Sequence, residues 1–220
     1  MHLDSVALVA YTPEEEKINS ISHACGLILS GLIVWKCLFP AIQAQNALKI
    51  LCAALYLFGI TVMFIASALY HGIKQEKAKK ALRVADHCMI FFAVAGTASG
   101  CAPAVKDIVG PLAAYLMLCA AWAGACFGLT ITFFGFGRHK ALQMFVYIAT
   151  ALVCAICGSK AYFVLPIGAF LSFLGGSLLL IAGIIIYGLG RTRRYFHSVF
   201  HFFILGGLFV YWLGIAEYCY

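Results

Sequence analysis

The sequence predicts an all-α membrane protein, a seven-helix transmembrane bundle with its N-terminus in the cytoplasm and its C-terminus outside, and three observations carry that prediction. The first is composition: of 220 residues, 64% are hydrophobic and only 10% are charged, with a mean hydropathy of +0.99. A soluble domain of this size would expose too much apolar surface at that composition. The second is that the apolar residues fall into seven runs near the roughly twenty residues that a helix needs to cross a bilayer. The third is that the basic residues collect in alternate connections, as they do in cytoplasmic loops.

Residues 1–17 form a short polar N-terminal segment. The apolar run at 6–10 is too short for the core of a signal peptide, follows Asp4 and precedes an acidic patch, so the first apolar segment is expected to stay in the mature protein. The expected spans are 18–39, 47–70, 88–105, 112–136, 142–158, 162–189 and 196–216. Within the fourth, Ala120, Gly124 and Gly128 form a stripe of small residues suited to helix packing. The fifth is the shortest, and in the sixth Pro166 and the Gly175-Gly176 pair invite a kink or a close neighbour. No linker or low-complexity stretch interrupts the series, so residues 1–220 are expected to form one domain.

Loop charge tests the count. Lys74, Lys77, Lys79, Lys80 and Arg83 lie between the second and third spans, Arg138 and Lys140 between the fourth and fifth, and Arg191, Arg193 and Arg194 between the sixth and seventh. With Lys17, these outnumber Lys36, Lys49, Lys106 and Lys160 on the other side. An odd number of spans and an alternating bias agree on the topology. The formal net charge of +7 is thereby accounted for without a nucleic-acid partner, since the aromatic residues lie in apolar runs and no nucleic-acid motif is present. Most of the ten cysteines are dispersed in apolar segments, as small hydrophobes are. The one CxxC, Cys154 with Cys157, lacks the second pair or βαβ setting that zinc or redox chemistry requires.

The few ionisable residues inside the spans converge on the expected cytoplasmic side. Glu16, Asn19 and His23 share one face of the first helix at i, i+3, i+7. Ser67 and His71 stand one turn apart near the end of the second, Asp86 opens the third, and His197 and His201 stand at i, i+4 at the start of the seventh. Two imidazoles one helical turn apart can bind one metal ion, and in an apolar segment each imidazole needs a partner. His71 supplies a third nitrogen. Three histidines with an open fourth position resemble a catalytic zinc site more than a closed structural one. The alternative is zinc, or hydrogen bonding, that only ties helices two, three and seven together. His87 points away from Asp86, His139 lies in a basic loop, His2 is terminal, and Trp122 and Trp212 are read as lipid-facing or packing residues.

Four strings, Glu16-Lys-Ile-Asn19-Ser-Ile-Ser-His23, Ser67-Ala-Leu-Tyr-His71, Ala85-Asp86-His87-Cys88 and His197-Ser-Val-Phe-His201, resemble the signature motifs of the hemolysin III family. This is the bacterial branch of the progestin and adipoQ receptor group, in a superfamily of membrane hydrolases that includes alkaline ceramidases. The resemblance runs from the first helix to the seventh. It implies a bacterial plasma-membrane, multi-pass protein with zinc held by His71, His197 and His201, and with Asp86 beside the water that zinc activates. The chain departs from relatives at Thr97-Ala98-Ser99-Gly100, where a Thr-Tyr-Thr-Pro-like stretch is common, and at Tyr211, where another histidine is frequent.

The leading functional expectation is a zinc-dependent, ceramidase-like hydrolase of an amide or ester in a membrane lipid or fatty-acyl substrate. Asp86 and Ser67 would act on the reacting groups, and Glu16, Asn19 and His23 would brace the ligands. A lipid-sensing receptor or membrane-homeostasis protein with structural zinc is the alternative. A pore-forming hemolysin ranks last, because no polar stripe runs the length of several helices.

Overall fold

The computed structural model describes residues 3–190 and 193–220. His2 and Arg191, named above, lie outside the described residues. The helix α1 (Pro13–Ile33) starts at a capping box: the Thr12 hydroxyl accepts the Glu15 N–H, the Glu15 carboxylate accepts the Thr12 N–H, and Pro13 fills the first helical position. At its far end α1 widens into a π turn over Val34–Leu38 and continues as α2 (Phe39–Gln43), so the first span covers Pro13–Gln43. Pro40 explains the widening, because its ring crowds the carbonyl four residues back and it has no N–H to donate.

The side chain of Asn46 caps α3 (Ala47–Gly72) by accepting the Lys49 N–H. Then follow α4 (Glu76–Ile108), α5 (Pro111–Phe134), α6 (Lys140–Cys157), the short α7 (Ser159–Val164), α8 (Ile167–Leu189) and α9 (Phe196–Tyr218). Among the described residues, seven helical spans are long and apolar enough to cross a membrane. Two sequence expectations are corrected. The third span begins at Glu76, not at 88, so Lys77, Lys79, Lys80 and Arg83 decorate its first turns and Asp86 lies well inside the helix rather than opening it. The expected helix over 162–189 is two helices, because the residue before a proline is pushed out of the α region; Leu165 and Pro166 are extended, both with ψ 151°.

The central helix is α4, which touches α3, α5, α6, α7 and α9. On one side α1 fits between α3 and α9, and α8 packs on α9. The α3–α4 crossing is tightest at Gly59 and Gly96: a Cβ on Gly96 would sit 3.1 Å from the Gly59 Cα, and a Cβ on Gly59 would strike the Phe92 carbonyl. The small-residue stripe of α5 does pack as expected, with Gly124 facing Thr150 and Gly128 facing the Phe91 ring. Tyr56, Ile60 and Phe64 of α3 meet Ile33 and Ile215 in the main core. All ten cysteines are free thiols.

One element has no counterpart in the apolar pattern. The chain before α1, from a 3-10 turn at Leu3–Ser5 onward, lies as a strap against the end of the bundle where α1 and α9 begin and α3 ends. Val6 anchors it, 2% exposed, between Val84 and Cys88 of α4.

Candidate metal centre

The end of α3 and the start of α9 bring His71, His197 and His201 together. Their ligand atoms all lie within 4.8 Å of one another. His197 Nε2 is 3.3 Å from His71 Nε2 and 3.1 Å from His201 Nε2. Nitrogens about 2.0–2.1 Å from one tetrahedral ion stand roughly 3.3 Å apart, so the cluster has the spacing of a metal site.

Proton placement sharpens the case. The Nδ1 of His71 is 2.6 Å from Glu16 Oε2, and a carboxylate can only accept, so Nδ1 donates and Nε2 presents a lone pair. The Nδ1 of His201 likewise donates to the Asn19 carbonyl at 3.2 Å, with Ser22 Oγ at 3.3 Å. Two lone pairs therefore face the third imidazole across a buried space, and one proton on His197 Nε2 could not serve both well. A cation resolves that arrangement, and the donor set of neutral imidazoles suits zinc, copper, iron or nickel.

The residues behind the three histidines come from the face of α1 that the sequence marked. Glu16 bridges His71 and Lys79, whose ammonium lies 2.8 Å from Oε1. Asn19 is fully buried; its Oδ1 accepts the Ser198 hydroxyl at 2.6 Å while its carbonyl serves His201. His23 stacks on His201 with ring centroids 3.7 Å apart, and its edge meets Phe64. Glu16, Asn19 and His23 thus all reach the cluster. Ser67 is buried one turn before His71 on the same helix. Asp86 is not one of the clustered ligands among the described residues. Its carboxylate is 3.6 Å from His87 Nδ1, which itself donates to the Arg83 carbonyl at 2.9 Å.

Sequence reasoning missed Tyr11. Its ring stacks on His197, centroids 5.0 Å apart, and lies 5.5 Å from that of His71. Burial pushes its phenol well above the ordinary value; Tyr70 and Tyr187 push the same way, Arg83 opposes them, and Asp86 adds to the rise. Tyr11 therefore stays neutral. A vestibule of about 170 Å³ opens beside His197, lined by Tyr11, Glu15, Tyr187, Arg193 and Arg194 among others. No periodic pattern marks Tyr11, since it precedes the first helix.

The sequence that builds this site matches known proteins. A family model described as "Haemolysin-III related" matches residues 11–212. The chain belongs to the haemolysin III family. Among its relatives in that family is the Hemolysin-3 homolog of Bacillus subtilis (strain 168), 28% identical over 218 residues that cover 95% of this chain and 96% of the relative. Hemolysin-3 of Bacillus cereus is 26% identical over 194 residues, 88% of this chain and 87% of the relative. At the positions where the sequence is expected to depart from its relatives, the side chains are satisfied away from the histidines. Ser99 accepts the Trp122 indole N–H at 3.0 Å, and Tyr211 shares a 2.7 Å hydrogen bond with Ser177. Trp122 is thus more than a lipid-facing ring, and Trp212 is buried.

Proposed function

We propose that this multi-pass membrane protein is a zinc-dependent lipid hydrolase that cleaves an amide or ester in a membrane lipid or fatty-acyl substrate, as the resemblance to the ceramidase-containing superfamily implies. The observation that carries the reading is the meeting of three imidazole Nε2 atoms, two of them fixed as lone pairs by their Nδ1 partners. In this reading residues 1–220 form one domain in a bacterial plasma membrane, and the site lies at the cytoplasmic end, where the basic residues gather.

His71, His197 and His201 would hold the ion. Zinc, when bound, supplies a Lewis acid for the substrate carbonyl and a water of lowered pKa. Glu16 keeps the His71 proton on Nδ1, and the Asn19 carbonyl does the same for His201, so both ligands stay in the binding tautomer. Asp86 is assigned as the group that orients or takes a proton from the attacking water, and Ser67 as a hydrogen-bond partner of the reacting groups. Asp86 lies outside the clustered ligands, so Asp86→Asn is expected to keep zinc and lose turnover. The test is hydrolysis of a panel of lipid amides and esters by wild type and by this variant, each with its metal content measured. Wild-type turnover that persists in zinc-loaded Asp86→Asn would remove Asp86 from the mechanism.

A second reading has one observation in its favour. Tyr11 stacks over His197 and covers the cluster from the strap side, as suits a structural zinc that pins helices in a lipid-sensing receptor. Under that reading chelation lowers thermal stability and no lipid is consumed.

A further inference from the structure

The head of α9 is held in a backbone conformation that its sequence does not favour. Tyr195, the residue before the helix, has φ 62° and ψ −4°, in the left-handed region, and its side chain makes no capping hydrogen bond. A residue with a Cβ pays for that conformation in steric strain, which persists only where neighbouring structure over-determines it. The neighbour is Glu15. Its Oε1 accepts the Tyr195 N–H at 2.6 Å, across 180 residues of chain, while its Oε2 accepts the Thr12 N–H at 2.9 Å. Glu15 is itself 5% exposed, and its carboxylate makes both bonds charge-assisted.

One carboxylate therefore joins three parts of the molecule: the strap at Thr12, the start of α1, and the residue from which α9 departs. His197 follows Tyr195 by two residues and His201 by one further helical turn, so the angle at which α9 leaves Tyr195 sets where both imidazoles point. We infer that Glu15 is a positioning residue: by fixing the left-handed Tyr195 at the head of α9, it sets the spacing of the His197 and His201 nitrogens. The metal arm of this inference rests on the zinc reading above. A simpler role, completing the α1 capping box, would give the carboxylate no influence on α9.

The two roles separate by mutation in the full chain, purified in detergent. Glu15→Ala removes both bonds, Thr12→Ala removes only the hydroxyl half of the capping box, and Tyr195→Gly makes the left-handed conformation free of steric cost. Zinc affinity is read by competition with a chelating dye, and hydrogen exchange is read in the metal-free protein on peptides covering 195–203. Glu15→Ala is expected to weaken zinc binding about tenfold or more and to speed exchange at the head of α9. Thr12→Ala should move affinity less than threefold, and Tyr195→Gly added to Glu15→Ala should recover most of the loss. Unchanged affinity and exchange in Glu15→Ala, an equal loss in Thr12→Ala, or no recovery with Tyr195→Gly would each overturn the inference. If wild type takes up no zinc, the zinc reading fails by itself. Exchange then decides: faster in Glu15→Ala and slowed again by Tyr195→Gly upholds the clamp, and any other pattern overturns it.

Discussion

Replacing Glu16 with glutamine keeps the shape of the side chain and removes one charge behind the metal centre. In the native arrangement Oε2 accepts the His71 Nδ1–H at 2.6 Å and Oε1 faces the Lys79 ammonium at 2.8 Å. An amide cannot serve both. With its oxygen on His71 it turns an NH₂ toward the Lys79 cation; with its oxygen on Lys79 it turns an NH₂ toward Nδ1 and drives the His71 proton onto Nε2, where it blocks coordination. Loss of a carboxylate partner behind a metal-bound histidine typically costs 10–100-fold in affinity, or about 1.4–2.7 kcal/mol. Glu16→Gln is therefore expected to bind zinc about thirtyfold more weakly. Glu16 is partly buried but keeps contact with solvent, its side chain 19% accessible, which limits the cost to the metal-free fold. Competition against a chromophoric chelator measures the affinity, and circular dichroism checks that helicity is retained. A folded Glu16→Gln protein within twofold of wild-type affinity would refute the tautomer argument.

Three further outcomes follow from the packing and the site. Gly59→Ala drives a Cβ into the Phe92 carbonyl where α3 crosses α4 and should cost about 1–3 kcal/mol, seen as a lowered melting temperature in detergent; an unchanged melt would mean that the two helices separate freely there. Val6→Asp places a charge between Val84 and Cys88 and should lift the strap, so that maleimide labels Cys88 faster than in wild type; equal labelling would show that the strap does not shield that thiol. Chelator should lower the melting temperature of zinc-loaded protein, by an amount equivalent to about 2.7 kcal/mol where free zinc had stood at 100 times its dissociation constant, with no such effect in His201→Ala; an equal chelator effect in that variant would place the stabilising metal elsewhere.

Much of this architecture was legible because hydropathy and charge act on length scales that sequence displays directly. Seven apolar runs became seven spans, and the i, i+4 spacing of His197 and His201 with the turn-end position of His71 sufficed to expect a shared site. The start of α4 escaped because Lys77, Lys79, Lys80 and Arg83 lower the apolar average, although the alanine- and lysine-rich stretch favours helix. The break at Leu165 and Pro166 was visible only as a proline inside an apolar run. The contacts of Tyr11 with His197 and of Glu15 with Tyr195 depend on how the strap and the α8–α9 turn meet after folding, and no local periodicity encodes them. Glu15 carried a partial signal, since Thr12 with an acid three residues later marks a capping box, but that motif accounts for one of its oxygens and not the other.

The central claim is that three imidazoles hold one metal ion, and elemental mass spectrometry of the detergent-purified chain tests it most directly, with His201→Ala measured alongside and both checked for fold. About one zinc per chain in wild type and none in the variant is the predicted result. A folded wild-type protein that carries no metal, even after reconstitution with zinc, would contradict the claim and leave His71, His197 and His201 as hydrogen-bonded residues of the bundle.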